Sequence, residues 1–339
     1  MVNIREIAKR AEVSPSTVSR VLNRDPKFSV SEETKDKIYR ICNELNYIPR
    51  KYKNNRNTKS IGIISSTSRE AEVNDPYYRQ IREKLAKASK SNDYYIDFMI
   101  HLPYLESYWH RITQLSSVIV IGYIHPSIHE RLYSLNKNII IVDDFFCSEK
   151  YSSVSVNFYK EMLKVLDMVY DMGHREIAFI AGRNGRLDIN NRFIPDGPGD
   201  REKAYLDWMK EKQLPAMPYI GQDWYAQDGY DLTDKFLKEK DQLPTLIIAA
   251  SDMLALGIMR RLSESSIKVP EEVSICSFDN LEIATFLTPS LTTFNVNINE
   301  MIRWIIRICT DEMIDKNSSP TKIVISGDLV MRESLIAVT

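Results

Sequence analysis

Residues 4–23 read IREIAKRAEVSPSTVSRVLN. The spacing predicts two short helices joined by a tight turn. Asn3 caps the first helix, and Glu6 stands three residues on, where its carboxylate can reach back to the free N–H groups. Ile4, Ile7, Ala8 and Ala11 recur at helical spacing and form one apolar face. Glu12-Val13 makes the turn. Ser14 caps the second helix and Pro15 takes its first position, where a missing N–H costs nothing. Val18, Val21 and Leu22 face back onto the first helix. The outer face then carries Ser16, Thr17, Ser19 and Arg20. Short hydrogen-bonding groups beside one guanidinium suit a helix that enters the DNA major groove. The plain alternative is a surface helical hairpin.

Outward from this stretch, Val30-Ser31-Glu32-Glu33-Thr34 opens a third helix. It runs to about Leu45, is apolar at Ile38, Ile41, Cys42 and Leu45, and closes in Asn46-Tyr47-Ile48-Pro49. Residues 1–49 therefore read as an all-α helix-turn-helix headpiece. Charge follows the same division. Residues 1–59 hold 14 Lys and Arg against 7 Asp and Glu, whereas the remainder holds 31 against 39. A basic module on an acidic body is an electrostatic footprint for nucleic acid at one end.

The run AxxAxVSxxTVSRVLN, then VSxxT, then LNYIP, resembles the headpiece of the lactose- and galactose-repressor family, position by position over Ile4 to Pro49. The resemblance implies that Pro15, Ser16 and Arg20 face bases, Arg20 on a guanine and Pro15 against a thymine methyl. It also implies that Ser14, Thr17, Ser19, Asn23, Thr34 and Tyr47 sit on phosphates and fix register without reading sequence.

Residues 50–59 form a hinge or linker. The stretch Arg50 to Ser60, RKYKNNRNTKS, is polar, basic and without apolar periodicity. Family members usually carry a hinge helix here, with an Ala-x-x-Leu core whose leucine wedges into the minor groove. This chain has no such leucine. Lys51, Lys53, Arg56 and Lys59 can hold phosphates, so the linker is expected to bind by charge more than by wedge.

From residue 60 to 339 strands alternate with helices, which argues for parallel sheets flanked by helices. The strands read as Ile61–Ser65, Tyr95–Ile100, Val118–Ile121, Ile139–Val142, Val154–Val156, Ile177–Ala181, Leu246–Ala249, Val273–Ser277 and Ile323–Ile325. A helix is expected over Tyr104–Thr113. Two such sets suggest two Rossmann-like lobes around a cleft, with the chain crossing near 145–154 and again near 280–325. The blocks MGHREIAFIAG, SDMLALGIMRRL, PEEVSICSFDN and PSLTTF resemble those of the same family, whose core is similar to periplasmic sugar-binding proteins of type I. A headpiece and the lack of an export signal argue against a periplasmic role and for the cytoplasm.

Ligands bind at the C-terminal ends of such strands. Sugars need paired hydrogen bonds to vicinal hydroxyls and an aromatic face. Asp279 follows a strand and can accept from two hydroxyls; Asp200-Arg201 opens a helix, and Arg201 can donate to them; Trp224 lies in the loop YIGQDWYAQDGY and can stack. The matching positions in the family do these jobs. The alternatives are a core salt bridge between Arg201 and Asp279 and a merely packed Trp224. In the first lobe Asp75 either caps the helix begun by Pro76 or touches sugar, and Tyr77 can point into the cleft. EVNDPYYRQIREKL, from Glu72 to Leu85, resembles a branch that includes the evolved β-galactosidase repressor and Gram-positive galactose repressors. That likeness implies galactose or a galactoside as effector.

The expected partners are operator DNA, a sugar effector and a second copy of the chain. No heptad tail follows Met331-Arg332-Glu333-Ser334, so a dimer is expected and not a tetramer. The rival within the class is a regulator whose DNA binding a corepressor or partner protein tightens. The rival outside it is a sugar-active enzyme, with Asp279 and Asp200 as glycosidase carboxylates. GxGxxG, GxxxxGK[ST] and GxSxG are all absent, so neither a cofactor nor catalysis is expected. Cys42, Cys147, Cys276 and Cys309 have no paired spacing and read as reduced, mostly buried thiols. His125 and His129 stand four apart, but Pro126 makes them straddle a helix start, so no metal is expected there.

Overall fold

A computed structural model of the chain describes residues 3–23, 28–45, 47, 59–239, 242–310 and 319–338. The headpiece is three helices, α1 (Ile4–Ala11), α2 (Pro15–Asn23) and α3 (Glu32–Glu44). Asn3 caps α1, its Oδ1 accepting from Glu6 N–H at 3.0 Å. The reciprocal arm expected of Glu6 is not made. Its carboxylate turns down the helix and pairs with Arg10, one turn on. Glu12 takes the left-handed conformation (φ 60°) and turns the chain. Ser14 Oγ accepts from Thr17 N–H at 3.0 Å and starts α2. Ile7, Ala8, Ala11, Val18, Val21, Leu22, Ile38, Ile41 and Cys42 close one small core.

The first lobe carries β1 (Lys59–Ser65), β2 (Tyr94–His101), β3 (Ser117–Ile121), β4 (Ile139–Val142), β5 (Ser152–Val156) and β13 (Lys322–Ile325). They form one sheet in the order β13-β5-β4-β3-β1-β2, parallel throughout. Helices α4 (Ala71–Asn74), α5 (Tyr77–Ser91), α6 (Trp109–Ile112) and α7 (Pro126–Leu135) connect these strands. Because side chains alternate along a strand, Ile61, Ile63, Ile119 and Ile121 pack into one apolar cluster. Ile64, Val118 and Val120 pack into another on the opposite face.

The second lobe repeats the plan with β6 (Ile177–Gly182), β9 (Met217–Gly221), β10 (Leu246–Ala249), β11 (Ser274–Phe278), β12 (Thr292–Asn295) and β14 (Asp328–Val330). Its order is β14-β12-β11-β10-β6-β9. The connecting helices are α8 (Phe158–Asp171), α9 (Asp200–Glu211), α10 (Ala226–Glu239), α11 (Asp252–Glu264) and α12 (Ile283–Phe286), with α13 (Ile298–Thr310) leading back to the first lobe. A two-stranded hairpin, β7 (Gly185–Leu187) and β8 (Phe193–Pro195), stands apart from both sheets.

Several expectations need correction. The first crossing does not fall near 145–154. β5 hydrogen-bonds to β4 and stays in the first sheet, so the chain crosses after it, at Asn157. It returns between β12 and α13, within the expected 280–325, and crosses a third time between β13 and β14. The second sheet is not wholly parallel, since β14 runs antiparallel to β12. Lys59, assigned to the linker, begins β1; residues 50–58 lie outside the described residues. The helix expected over Tyr104–Thr113 is a 3-10 turn at Leu102–Ser107 followed by α6. β12 escaped notice because Thr292 and Thr293 look too polar for a core strand. Both are buried, and each hydroxyl is bonded: Thr293 donates to Asp252 at 2.6 Å and Thr292 accepts from Arg332 N–H at 2.8 Å.

All four cysteines are free and buried. His125 precedes α7 and caps it, while His129 lies buried within it. Burial pushes the His129 imidazole down to about 4. No helix among the described residues is long and apolar enough to cross a membrane.

Candidate effector cleft and DNA-reading face

In both sheets the strand order reverses beside the first strand of the lobe, β1 in one and β6 in the other. Loops that leave neighbouring strands in opposite directions open a crevice there, at the carboxyl ends of the strands. The two crevices face each other as one cavity of about 490 Å3. Tyr77, Asp75, Arg201, Trp224 and Asp279 all line it.

Local structure sets each group. Asp75 Oδ1 accepts from Tyr77 N–H at 3.1 Å, so Asp75 caps the entry to α5 while lining the cleft. Both readings of that residue hold at once. Asp279 is the first residue after β11 and is held at φ 106°, a conformation that turns the chain off the strand end. Beneath it, the fully buried Asp252 accepts from Leu281 N–H and from Thr293 Oγ1, each at 2.6 Å, and also from Ser277 Oγ. Arg332 donates to Asn280 Oδ1 at 2.7 Å. The loop bearing Asp279 is therefore pinned from below.

Arg201 stands in the first turn of α9. The expected alternative, an ion pair with Asp279, is not formed among the described residues. The guanidinium lies against rings instead, 4.2 Å from the Phe158 centroid and 5.1 Å from that of Trp224. Trp224 is fixed by its indole N–H, which donates to Arg183 O at 3.1 Å. It can sit there because residue 182 is glycine: a Cβ would come within 2.4 Å of Asp223 O and 2.6 Å of the Trp224 ring.

Sequence reasoning missed Asp143, Tyr78 and Tyr123, which also line the cleft. Asp143 was within reach of the rule that found Asp279, since it directly follows the buried strand β4. Tyr77 Oη, Asp143 Oδ1 and Arg201 Nη1 are buried and complete no hydrogen bond among the described residues, although the Tyr77 and Tyr78 hydroxyls lie near enough to the Asp143 carboxyl to favour its ionised form. Burial raises the carboxyls of Asp75, Asp200 and Asp279 above the usual range, with Arg201 opposing each shift. Burial pushes Asp143 up to about 7, again against Arg201. The cleft thus offers acceptors, the half-buried guanidinium of Arg201 and aromatic faces.

On the headpiece, Pro15, Ser16 and Arg20 are exposed along the outer side of α2. Arg20 lies 5.3 Å from the Phe28 ring. Ser14 hydrogen-bonds Ser16 and Thr17 through their hydroxyls, at 2.6 and 2.9 Å. Ser19 and Tyr47 are half-buried, and Thr34 sits in the first turn of α3 with its hydroxyl 2.8 Å from Ser31 Oγ. The side chain of Asn23 lies outside the described residues.

Comparison with known proteins agrees with both halves. Residues 3–50 match the model of bacterial regulatory proteins of the lacI family, and residues 166–335 match that of the periplasmic binding protein-like domain. The HTH-type transcriptional regulator GalR of Streptococcus thermophilus is 31% identical over 341 residues, covering 98% of this chain and 99% of that protein. The HTH-type transcriptional repressor MelR of Bacillus subtilis is 28% identical over 344 residues, covering 98% and 97%. Among solved structures, the lac repressor dimer bound to operator and the anti-inducer ONPF shares the fold, with a TM-score of 0.68 at 21% identity and 99% of each chain covered. A DNA-reading headpiece joined to a two-lobed binding core, matched nearly end to end by such regulators, makes this chain a member of the lacI family of bacterial regulatory proteins: a DNA-binding transcriptional regulator and not an enzyme.

Proposed function

We propose that the chain represses sugar-utilisation genes in the cytoplasm and leaves a palindromic operator when a sugar, galactose or a galactoside, occupies the cleft. The observation that carries this reading is the trio of buried, unpartnered atoms, Tyr77 Oη, Asp143 Oδ1 and Arg201 Nη1, set among aromatic rings. Each such group costs about 1–3 kcal/mol while unpaired. A polyol supplies donors to the carboxylates and acceptors to the guanidinium, and its C–H face suits Trp224 and Phe158. Phosphorylated ligands are disfavoured by Asp75, Asp143, Asp200 and Asp279 on the same walls.

In this reading Pro15, Ser16 and Arg20 contact bases. Ser14, Thr17, Ser19, Asn23, Thr34 and Tyr47 hold phosphates. A homodimer sets two headpieces on two half-sites. Sugar shifts the lobe arrangement only through its differential affinity for the two states. The test is fluorescence anisotropy on the palindrome upstream of the neighbouring genes, titrated with galactose, lactose and a purine base. Release by a galactoside supports the reading. Tightening by any of the three would establish the corepressor mode instead.

A further inference from the structure

The hairpin β7–β8 lines the cleft, yet the sugar contacts above do not use it. It arises from the second lobe and reaches the first. His125 N–H donates to Leu187 O at 2.9 Å, and Leu187 N–H to Tyr123 O at 3.3 Å. Arg186 Nη2 donates to Oδ1 of the fully buried Asp144 at 3.1 Å, and Arg186 Nε donates to Asp196 on the hairpin's own side at 2.8 Å. The hairpin is therefore a roof resting on both lobes.

Its inner surface is built. Gly185 lies under Phe193: a Cβ there would come within 2.4 Å of the Phe193 ring, so only glycine lets the ring fold across the strand. Arg183 stacks on the same ring at 4.0 Å. Asn184 donates its amide hydrogens to Asp196 O and Gly197 O at 3.3 and 3.4 Å, which leaves its side-chain oxygen free to accept. Asn184, Phe193 and Tyr123 share one cavity with Arg201 and Asp279. That cavity, at about 490 Å3, gives more room than one pyranose ring fills. Enclosed ligand sites of drug size begin near about 300 Å3.

We infer that the chamber under the hairpin is a second saccharide subsite, so that the effector is an uncharged saccharide of two rings. One ring lies on Asp143, Arg201 and Asp279. The next lies against Phe193, with its hydroxyls on Asn184 and Tyr123. This rests on the sugar reading above and goes beyond it in the size of the effector and the residues that select it. A second ring would also touch the hairpin of one lobe and Tyr123 of the other, so its binding favours the arrangement in which the roof rests on both.

The full-length protein titrated by calorimetry with galactose, glucose, lactose, melibiose, cellobiose and maltose tests this. At least one disaccharide should bind ten or more times tighter than either monosaccharide. Phe193→Ala and Asn184→Ala should each cut that preference at least fivefold, with circular dichroism showing both variants folded. Should Phe193→Ala loosen the hairpin, Asn184→Ala still reads the subsite. A monosaccharide that binds as tightly as every disaccharide would overturn the second subsite and leave the sugar reading standing. So would variants that weaken both sizes equally. Binding of none of the six would overturn both.

Discussion

Asp143 and Asp279 occupy equivalent places in the two lobes. Each is the first residue after a central strand, β4 or β11, each has positive φ (63° and 106°), and each is buried on the cleft wall. The N–H of Asp143 donates to Val154 O in β5 at 3.0 Å, and that of Asp279 to Phe294 O in β12 at 2.9 Å. Two copies of one turn thus bring a matched pair of carboxylates into a single cleft.

Replacing either carboxylate by its amide should weaken effector binding and spare the fold. A hydrogen bond to a charged group is worth about 1.5–3 kcal/mol, so Asp143→Asn and Asp279→Asn should each lower sugar affinity about 10- to 100-fold. Both variants should stay on the operator at sugar levels that release the wild type. Calorimetry and operator anisotropy check this, and wild-type affinity in both would remove the pair from the site.

Asp143 should also make effector binding depend on pH. Its carboxyl is pushed up to about 7 by burial, above the unfolded value, with Arg201 opposing and Asp144 adding to the shift. The stability tied to the protonated form is complete below the unfolded value of about 4. It is lost as pH rises through about 7. Sugar hydroxyls donate to the ionised form, so sugar affinity should rise between pH 6 and pH 8. Asp143→Asn should flatten that rise, as measured by calorimetry at the two values. A wild type with equal affinity at both would contradict it.

Asp252 holds the turn and touches no effector in this reading. Asp252→Ala strips partners from Ser277, Thr293 and the Leu281 N–H, all in the interior. Unfolding in urea should show a loss of about 2–4 kcal/mol. Sugar affinity should fall with it, because Asp279 is freed from its turn, whereas Asp252→Asn should recover part of both.

Arg20→Ala should reduce the preference for operator over unrelated DNA about 10- to 100-fold, as expected for one bidentate base contact of about 1–3 kcal/mol. Sugar affinity should not change. If binding to all DNA falls equally, Arg20 is a phosphate contact.

The linker predicts a salt signature. Neutralising Lys51, Lys53 and Arg56 with glutamine should make the slope of log affinity against log salt shallower by about 0.9 per residue. Strong DNA bending at a central base step would contradict binding by charge.

Much of this protein was legible in the chain itself, wherever the deciding interactions are local. The caps Asn3 and Ser14, the left-handed turn at Glu12 and the apolar faces of α1, α2 and α3 depend on neighbours within a few residues. So does the rule that places Asp279 at the end of a buried strand. Contacts distant in sequence stayed hidden. β5 reads like the start of a new unit, and only its pairing with β4 and β13 keeps it in the first sheet. Thr292 and Thr293 become core residues only because Asp252 and Arg332 satisfy their hydroxyls. The hairpin is three-residue strands with no apolar alternation, and its meaning comes from Asp144, 42 positions away, which neutralises Arg186 across the cleft. Local spacing can specify caps, faces and strand ends, but whether a buried charge is paired or left open to a ligand depends on what the fold brings beside it.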